Sequence, residues 1–316
     1  MFTKAKLLFL YTESPLHVGS GRDMGVVDLP IQRDKVTQYP IVQASSLKGK
    51  LRAEIRMRQG WYDDKGNDSV DLEALFGKVG AGDKENWAGA VSPGDARILL
   101  FPVRSLNGVF AWTTSLDVLV RFRRDLALAQ QAVDWNLPQT KIDADTCWVA
   151  GGTALQSDGN VTLEEFAYLA HREAFVKNLA LWLAKHALPQ TPEYEFWRKN
   201  LVNHLVILPD EDFRDFTLYG TEVNTRVKLI PESKTVQRGA LWTEENLPAD
   251  SLLYAPLVFG DSREYRSDDN AEPRFNVDAI TAVFQDTFHE QRFQLGGNET
   301  VGRGYVMANI LSGGAK

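Results

Sequence analysis

Hydrophobic positions change period several times along this chain, and each change marks an element. AKLLFLYT, residues 5–12, is apolar over the length of a strand. In residues 40–60, Leu47, Leu51 and Ile55 recur every four positions, the stripe of an amphipathic helix. Ser45 or Ser46 is placed to cap its start and Gly60 to stop it. Lys48, Arg52 and Arg56 fall on a neighbouring stripe, and Gly49, tolerable in a first turn, lets another chain approach the backbone. Residues 61–94 are polar, glycine-rich and acidic and predict a surface insertion. Residues 95–115 predict a hairpin turning at LNG, and 116–133 a helix. No clear period runs through 134–162; helical stretches follow over 163–188, with a break or kink near the middle, and over 191–208. In 221–248, Val223, Thr225, Val227 and Leu229 alternate with polar residues, PESKT turns and VQRGALW returns, which predicts a long hairpin protruding as an arm. A strand over 251–260 and a glycine-rich turn leading into a last strand, 293–311, close the chain. The reduced order is strand, helix, strand, strand, helix, a large insertion and a final strand. It predicts an α+β protein with a ferredoxin-like (RRM-like) sheet, a type of sheet that serves as an RNA platform.

Composition narrows the class without naming a function. The 316 residues are 44% hydrophobic and 24% charged, enough for one large core or two ordinary ones. No apolar run approaches the roughly 20 residues of a membrane span. The first apolar run lacks a small-residue cleavage site and reads as a strand, not a signal peptide. One cysteine, Cys147, excludes an internal disulfide and fits a reducing cytoplasm, and no Cys/His spacing suits zinc. The net charge of −7 argues mildly against nucleic acid, but its distribution argues the other way. Residues 33–58 hold seven Lys/Arg against two acids, and 97–124 five Arg against one Asp. Acidic residues gather in 63–68, 209–215 and 261–272. On charge alone, a solvated mixed surface explains this segregation as well as an RNA-binding face does.

Three segments carry candidate chemistry. The turns HVGSGRDMG and LGGNETVGRG each combine glycines (Gly19 and Gly21; Gly296 and Gly297) with an arginine, Arg22 or Arg303. Such turns let backbone N–H groups approach phosphate, although a plain tight turn explains either one alone and neither matches a P-loop or dinucleotide fingerprint. SSLKGKLR places Ser45, Ser46, Lys48 and Arg52 at a helix start, where free N–H groups and the dipole favour an anion. An ordinary capped helix with a solvated basic face explains it too. Of Asp23, Asp28 and Asp34, Asp28 is the only charged residue in VVDLPI; it can be a turn former, a cap or a reactive carboxylate. His17 is structural or functional, and His171, His186, His204 and His289 are scattered. Glu244 and Glu245 follow the long hairpin, and Trp242 is either hairpin packing or a wedge between bases.

Together HVGSG…GVVDLPIQRD…YPIVQASSLKGKLR, TRVKLIPESKTVQRGALWTEENLP and QLGGNETVGRGYV resemble the RAMP superfamily. Within it they resemble the backbone subunits of the Cmr complex, a type III-B CRISPR–Cas antiviral effector. The resemblance runs nearly end to end and is weakest over about 130–205. It implies a single domain: an RRM-like palm (1–130 and 250–316), a helical insertion (131–220) and a thumb hairpin (221–248). It implies copies stacked in a filament along a guide CRISPR RNA beside other Cmr subunits, in the cytoplasm and with no membrane. A single-stranded target RNA would pair with the guide, lose a base pair at each thumb and be cut there by an endoribonuclease needing a divalent metal, Mg²⁺ or Mn²⁺. Acidic loops could meet basic ones on the next copy. Asp28 is the implied cleavage-essential, metal-binding residue, with His17 and Glu244 as secondary candidates. Ser46 and Lys48, then Gly296, Gly297 and their turn, are the implied guide contacts. Asn246 stands where family members often carry an aromatic residue, which weakens a catalytic role for that corner. Two alternatives remain: a catalytically inactive RNA-binding scaffold, and a metal-independent guide-processing nuclease using His17.

Overall fold

The computed structural model describes residues 2–21, 25–78, 86–263 and 272–311. Strand β1 (Lys4–Thr12) opens the chain, and a long loop leads to β2 (Ile41–Val42) and helix α1 (Ala44–Gln59). Then come α2 (Val70–Phe76) and the short strands β3 (Gly77–Lys78), β4 (Trp87–Ala88) and β5 (Val91–Pro93). The hairpin β6 (Ala96–Arg104) and β7 (Phe110–Ser115) leads into α3 (Leu116–Leu128). The middle of the chain holds β8 (Thr146–Val149), β9 (Gln156–Ser157), β10 (Asn160–Leu163), β11 (Phe166–Arg172), α4 (Ala174–His186), α5 (Glu195–His204), β12 (Leu205–Leu208) and α6 (Asp210–Tyr219). The long hairpin is β13 (Glu222–Leu229) and β14 (Val236–Asn246); β15 (Leu252–Phe259), α7 (Val277–Phe288), β16 (Gln291–Gln294) and β17 (Tyr305–Ile310) follow.

One large mixed sheet runs β16-β17-β1-β15-β6-β7-β12-β8-β11-β10-β9, with β2 on β6 and β5 on β15. From β17 through β1 and β15 to β6 every pairing is antiparallel. The sheet is covered on both faces at β1 and β15. Leu7, Leu8, Phe9 and Leu10 of β1 are all 0% exposed, although successive residues of a strand point to opposite sides. Phe9 lies opposite Tyr254, and both rings pack on Phe122 of α3, at 6.0 and 4.9 Å. On the other side, Phe259 packs on Phe284 of α7 at 5.2 Å. An open sheet face is therefore not present at β1.

The structure departs from the sequence expectations at several places. The stretch 163–188 is helical only from Ala174; its first part is the hairpin β10–β11, where Leu163 faces Phe166 across the turn. Val161 and Leu163 are buried at alternate positions of β10, and Tyr168, paired with Val161, is buried on β11, a strand pattern that the helix-forming composition masks. In 191–208 the α-helix covers only Glu195–His204, and LVIL is a buried strand between β7 and β8. The helix preceding the last strands is α7, not α3, and the strand beside β6 on the β1 side is β15. The 61–94 insertion is not all surface: Leu72, Ala74, Leu75 and Phe76 of α2 are buried.

Candidate functional site

The root of the long hairpin organises the site. Past its exposed arm, β14 ends in Glu244, Glu245 and Asn246, all buried. The loop after β1 runs beside this end as an extra strand, with Leu29 bridging to Glu244 in parallel. Leu29 N donates to Thr243 O, and Glu245 N to Leu29 O, each at 3.0 Å. Asp28 begins this pairing. Its Oδ2 accepts from Thr243 N at 2.7 Å and Thr243 Oγ1 at 2.9 Å, while Asp28 N donates to the same hydroxyl at 2.9 Å. The carboxylate is nevertheless exposed to solvent.

Glu245 is the buried hub beneath it. Its Oε1 accepts from Arg33 at 2.5 Å and from the Thr221 hydroxyl at 2.8 Å, and its Oε2 from Ile31 N at 2.9 Å. Arg33 also donates to the carbonyls of Gln38 and Thr217. The loop, the start of β13 and the end of β14 are thereby tied at one carboxylate. Glu244, 1% exposed, is held by Arg226 at 3.0 Å across the hairpin.

His17 enters from the other side. Its Nδ1 lies 2.7 Å from the Glu245 carbonyl, so Nδ1–H donates to it. Thr243 and Glu245 are two residues apart on β14, so the anchors of Asp28 and His17 stand about 7 Å apart along the strand. A Cβ on Gly19 would come 2.8 Å from His17 Nε2. Gly297 N donates to His17 O at 2.8 Å, and a Cβ on Gly296 would fall 2.2 Å from that same oxygen. With φ at +78°, Gly296 meets two demands that no other residue meets without strain.

Gln32 joins this cluster to helix α1. It accepts from Gln43 N at 2.8 Å and donates to Gly19 O at 3.2 Å and to Ser46 Oγ at 3.4 Å. The helix cap differs from expectation: Gln43 is the N-cap without a side-chain bond, and Asp95 accepts from Ala44 N at 2.8 Å. Ser45 and Ser46 sit exposed in the first turn, where N–H groups have no intrahelical acceptor. Gly60 ends the helix as expected, in the left-handed conformation.

The expected residues thus divide. His17, Gly19, Asp28, Ser46, Glu244, Gly296 and Gly297 gather around the hairpin root and the start of α1, with Gly21 and Ser45 next to them in the chain. Arg303 approaches Glu222 at the hairpin base, at 3.8 Å. Trp242 stands on β14 opposite Arg226. Arg22 and Asp23 lie outside the described residues. Arg52 turns away from the helix start: both it and Arg56 pair with Asp68. One acidic loop therefore neutralises two of the three cations of a basic stripe of its own chain. Lys48 forms no ion pair among the described residues, and burial together with nearby Arg52 lowers its pKa. Sequence reasoning missed Thr243, Gln32 and the hub role of Glu245. A hydroxyl immediately before the glutamate pair was the available signal for Thr243; the other two depend on contacts distant in sequence.

Comparison with known proteins identifies the family. The family described as the RAMP superfamily matches residues 9–306. The chain is 37% identical to the CRISPR system Cmr endoribonuclease Cmr4 of Pyrococcus furiosus, covering 97% of this chain and 96% of that protein. It is 26% identical to the CRISPR system CMR subunit Cmr4 of Saccharolobus solfataricus, covering 98% of each. A crystal structure of oligomeric Cmr4 from Pyrococcus furiosus superposes with a TM-score of 0.70 at 28% identity, over 99% of this chain and 100% of that one. A chain of the type III-B Cmr-beta complex bound to cognate target RNA shares the fold, with a TM-score of 0.68 at 19% identity over 98% of each. With the family matched along most of its length and a relative 37% identical over nearly all of it, the chain belongs to the RAMP superfamily.

Proposed function

We propose that this protein is the RNA-cleaving backbone subunit of a CRISPR-RNA-guided Cmr complex. It holds a guide RNA along its rim, stacks with copies of itself and other Cmr subunits, and cuts paired single-stranded target RNA at regular intervals. Asp28 carries the reading: an exposed carboxylate tied to the root of a long hairpin, in a chain 37% identical to a protein named an endoribonuclease. The antiparallel order β17-β1-β15-β6, with α1 and α7 between strands, supports the RRM-like palm. The hairpin 222–246, largely exposed along β13, supports the thumb. No helix among the described residues is long and apolar enough to cross a membrane, in keeping with work in the cytoplasm.

The chemistry asks little of the protein. The RNA 2′-hydroxyl attacks the neighbouring phosphorus, its proton departs, and the bond from phosphorus to the next nucleotide's O5′ breaks as that oxygen takes up a proton. The chain has to hold the nucleotide in line and meet the charge that develops on the phosphate. A base displaced by the hairpin arm presents its sugar and phosphate beside Asp28, whose tether to Thr243 fixes it to that arm. His17 holds the loop, since its Nδ1–H is committed to the Glu245 carbonyl. The buried pairing of Glu244 with Arg226 suits a positioning role for the hairpin.

The described residues contain no group of three or more His, Cys, Asp or Glu arranged to hold a metal. Glu244 and Glu245 are engaged with arginines. A hydrated Mg²⁺ or Mn²⁺, which the resemblance implies, would therefore be held by Asp28 and its own waters, the usual habit of magnesium. Such an ion, when bound, supplies positive charge beside the reacting phosphate. The test is Asp28→Ala in the complex reconstituted with guide RNA. Cleavage should fall at least about 10²-fold with target binding retained; cutting at the wild-type rate would overturn the assignment and favour the inactive scaffold.

A further inference from the structure

A second cationic surface lies away from the hairpin root. Strands β3 and β4 form a two-residue ladder with Gly77 opposite Ala88 and Lys78 opposite Trp87. The ladder is closed by backbone packing that admits no side chain. A Cβ on Gly77 would lie 2.8 Å from Gly89 N, and one on Gly89 2.6 Å from the Phe76 carbonyl carbon. Trp87 is fixed in this frame: its indole N–H donates to Glu73 O at 3.1 Å, and the Lys78 ammonium stands 5.5 Å from the ring centre. The ring remains half-buried.

Lys48 and Arg52 of α1 line the same groove, of about 700 Å³, together with Phe2 and Arg263. The Arg263 guanidinium stacks 4.8 Å over Phe2. Among the described residues, four cations face one carboxylate, Glu73. Glu73 pairs with Lys78 and Asp68 with Arg52. Lys48 and Arg263 have no carboxylate partner among the described residues. Two cations without a carboxylate partner among the described residues, beside a fixed aromatic face, match a phosphate next to a planar base.

We propose that this groove is a nucleotide subsite for the guide strand, with a base stacked on Trp87 and a phosphate facing Lys48 and Arg263. The inference rests on the RNA-binding reading above and extends it, because Lys48 belongs both to the helix start and to the groove. Stacking on Trp87 makes no demand on base identity, and it distinguishes an RNA ligand from an acidic peptide, which would use the cations alone.

The test uses the full chain and a short fluorescein-labelled single-stranded RNA, read by fluorescence anisotropy. Trp87→Ala should weaken binding roughly tenfold and Trp87→Phe by less. Arg263→Gln should lower the slope of log affinity against log salt by about 0.7. Irradiated iodouridine-substituted RNA should cross-link to the peptide containing Trp87. Should Trp87→Ala unfold the protein, the Arg263→Gln slope and the wild-type cross-link decide. Wild-type affinity in both Trp87 and Arg263 variants, with cross-links elsewhere, overturns the subsite and leaves the RNA-binding reading intact. Displacement of the RNA by polyglutamate as effective as by unlabelled RNA overturns the nucleotide assignment. Absence of RNA binding by the wild-type chain overturns the functional reading itself.

Discussion

Glu245→Ala removes the one carboxylate that joins the loop, the start of β13 and the end of β14. Three hydrogen bonds go with it, from Arg33, Thr221 Oγ1 and Ile31 N, at 2.5, 2.8 and 2.9 Å. The pair is well buried, with side chains 12% and 7% exposed. Breaking a buried pair from one side costs about 3–5 kcal/mol, because the abandoned charge stays out of water. Arg33 keeps the carbonyls of Gln38 and Thr217, which argues for the lower end. Ile31 N and the Thr221 hydroxyl lose acceptors, each worth about 1 kcal/mol or more if water does not replace them. We expect a destabilisation of about 3 kcal/mol in urea unfolding followed by tryptophan fluorescence. The cycle with Arg33→Ala should show a coupling of about 2 kcal/mol. A loss under about 1 kcal/mol, or single effects that simply add, would refute the view of Glu245 as a shared buried anchor.

Other variants probe separate parts of the molecule. Lys48→Ala should weaken RNA binding and reduce the salt slope by about 0.7, one single-strand phosphate contact, in anisotropy titrations; an unchanged slope removes Lys48 from the RNA path. Gly296→Ala forces a Cβ to 2.2 Å from His17 O at a φ of +78°, and should cost about 2 kcal/mol or more of stability; a thermal melt matching wild type would show that the turn is not clamped as described. Asp250, half-buried and accepting from the Tyr11 hydroxyl, has a pKa raised above 3.8 chiefly by its partial burial. The folded state then holds that proton more tightly than the unfolded chain, so the contribution to stability is full below the unfolded value and is lost as pH rises through the folded one. Asp250→Asn should remove that decline, seen as a flatter urea midpoint against pH; an unchanged profile would contradict the burial argument.

Some of this was legible in the residues themselves. Leu47, Leu51 and Ile55 announced α1, and all three are 0% exposed. The alternation at Val223 to Leu229 announced the hairpin, because period two survives where a strand has few partners. The strand LVIL at 205–208 was hidden, since a short, fully buried run carries no period and followed a helical pattern directly. Helix α7 was missed although Asn276 caps it by accepting from Ala279 N; the cap is a local signal that stood next to an acidic, uninformative stretch. Asp28 was distinguished by the resemblance of VDLPIQR, not by composition. What no local pattern encodes is its partner Thr243, 215 positions away. The same holds for the Asp68 that withdraws Arg52 from the helix start, because pairing between surface charges depends on how a loop returns.

The sealing of the sheet at β1 and β15 has a consequence for what this molecule can know about an RNA. RRM-type domains tell one base from another by stacking bases on an open sheet face and hydrogen-bonding their edges. Here Phe9, Tyr254 and Phe122 occupy that space with each other. The hairpin root and the start of α1 offer instead backbone amides, hydroxyls and cations, groups that meet phosphate and sugar and carry no information about sequence. In the proposed role such a surface would be illiterate by construction, and all choice of target would be left to base pairing.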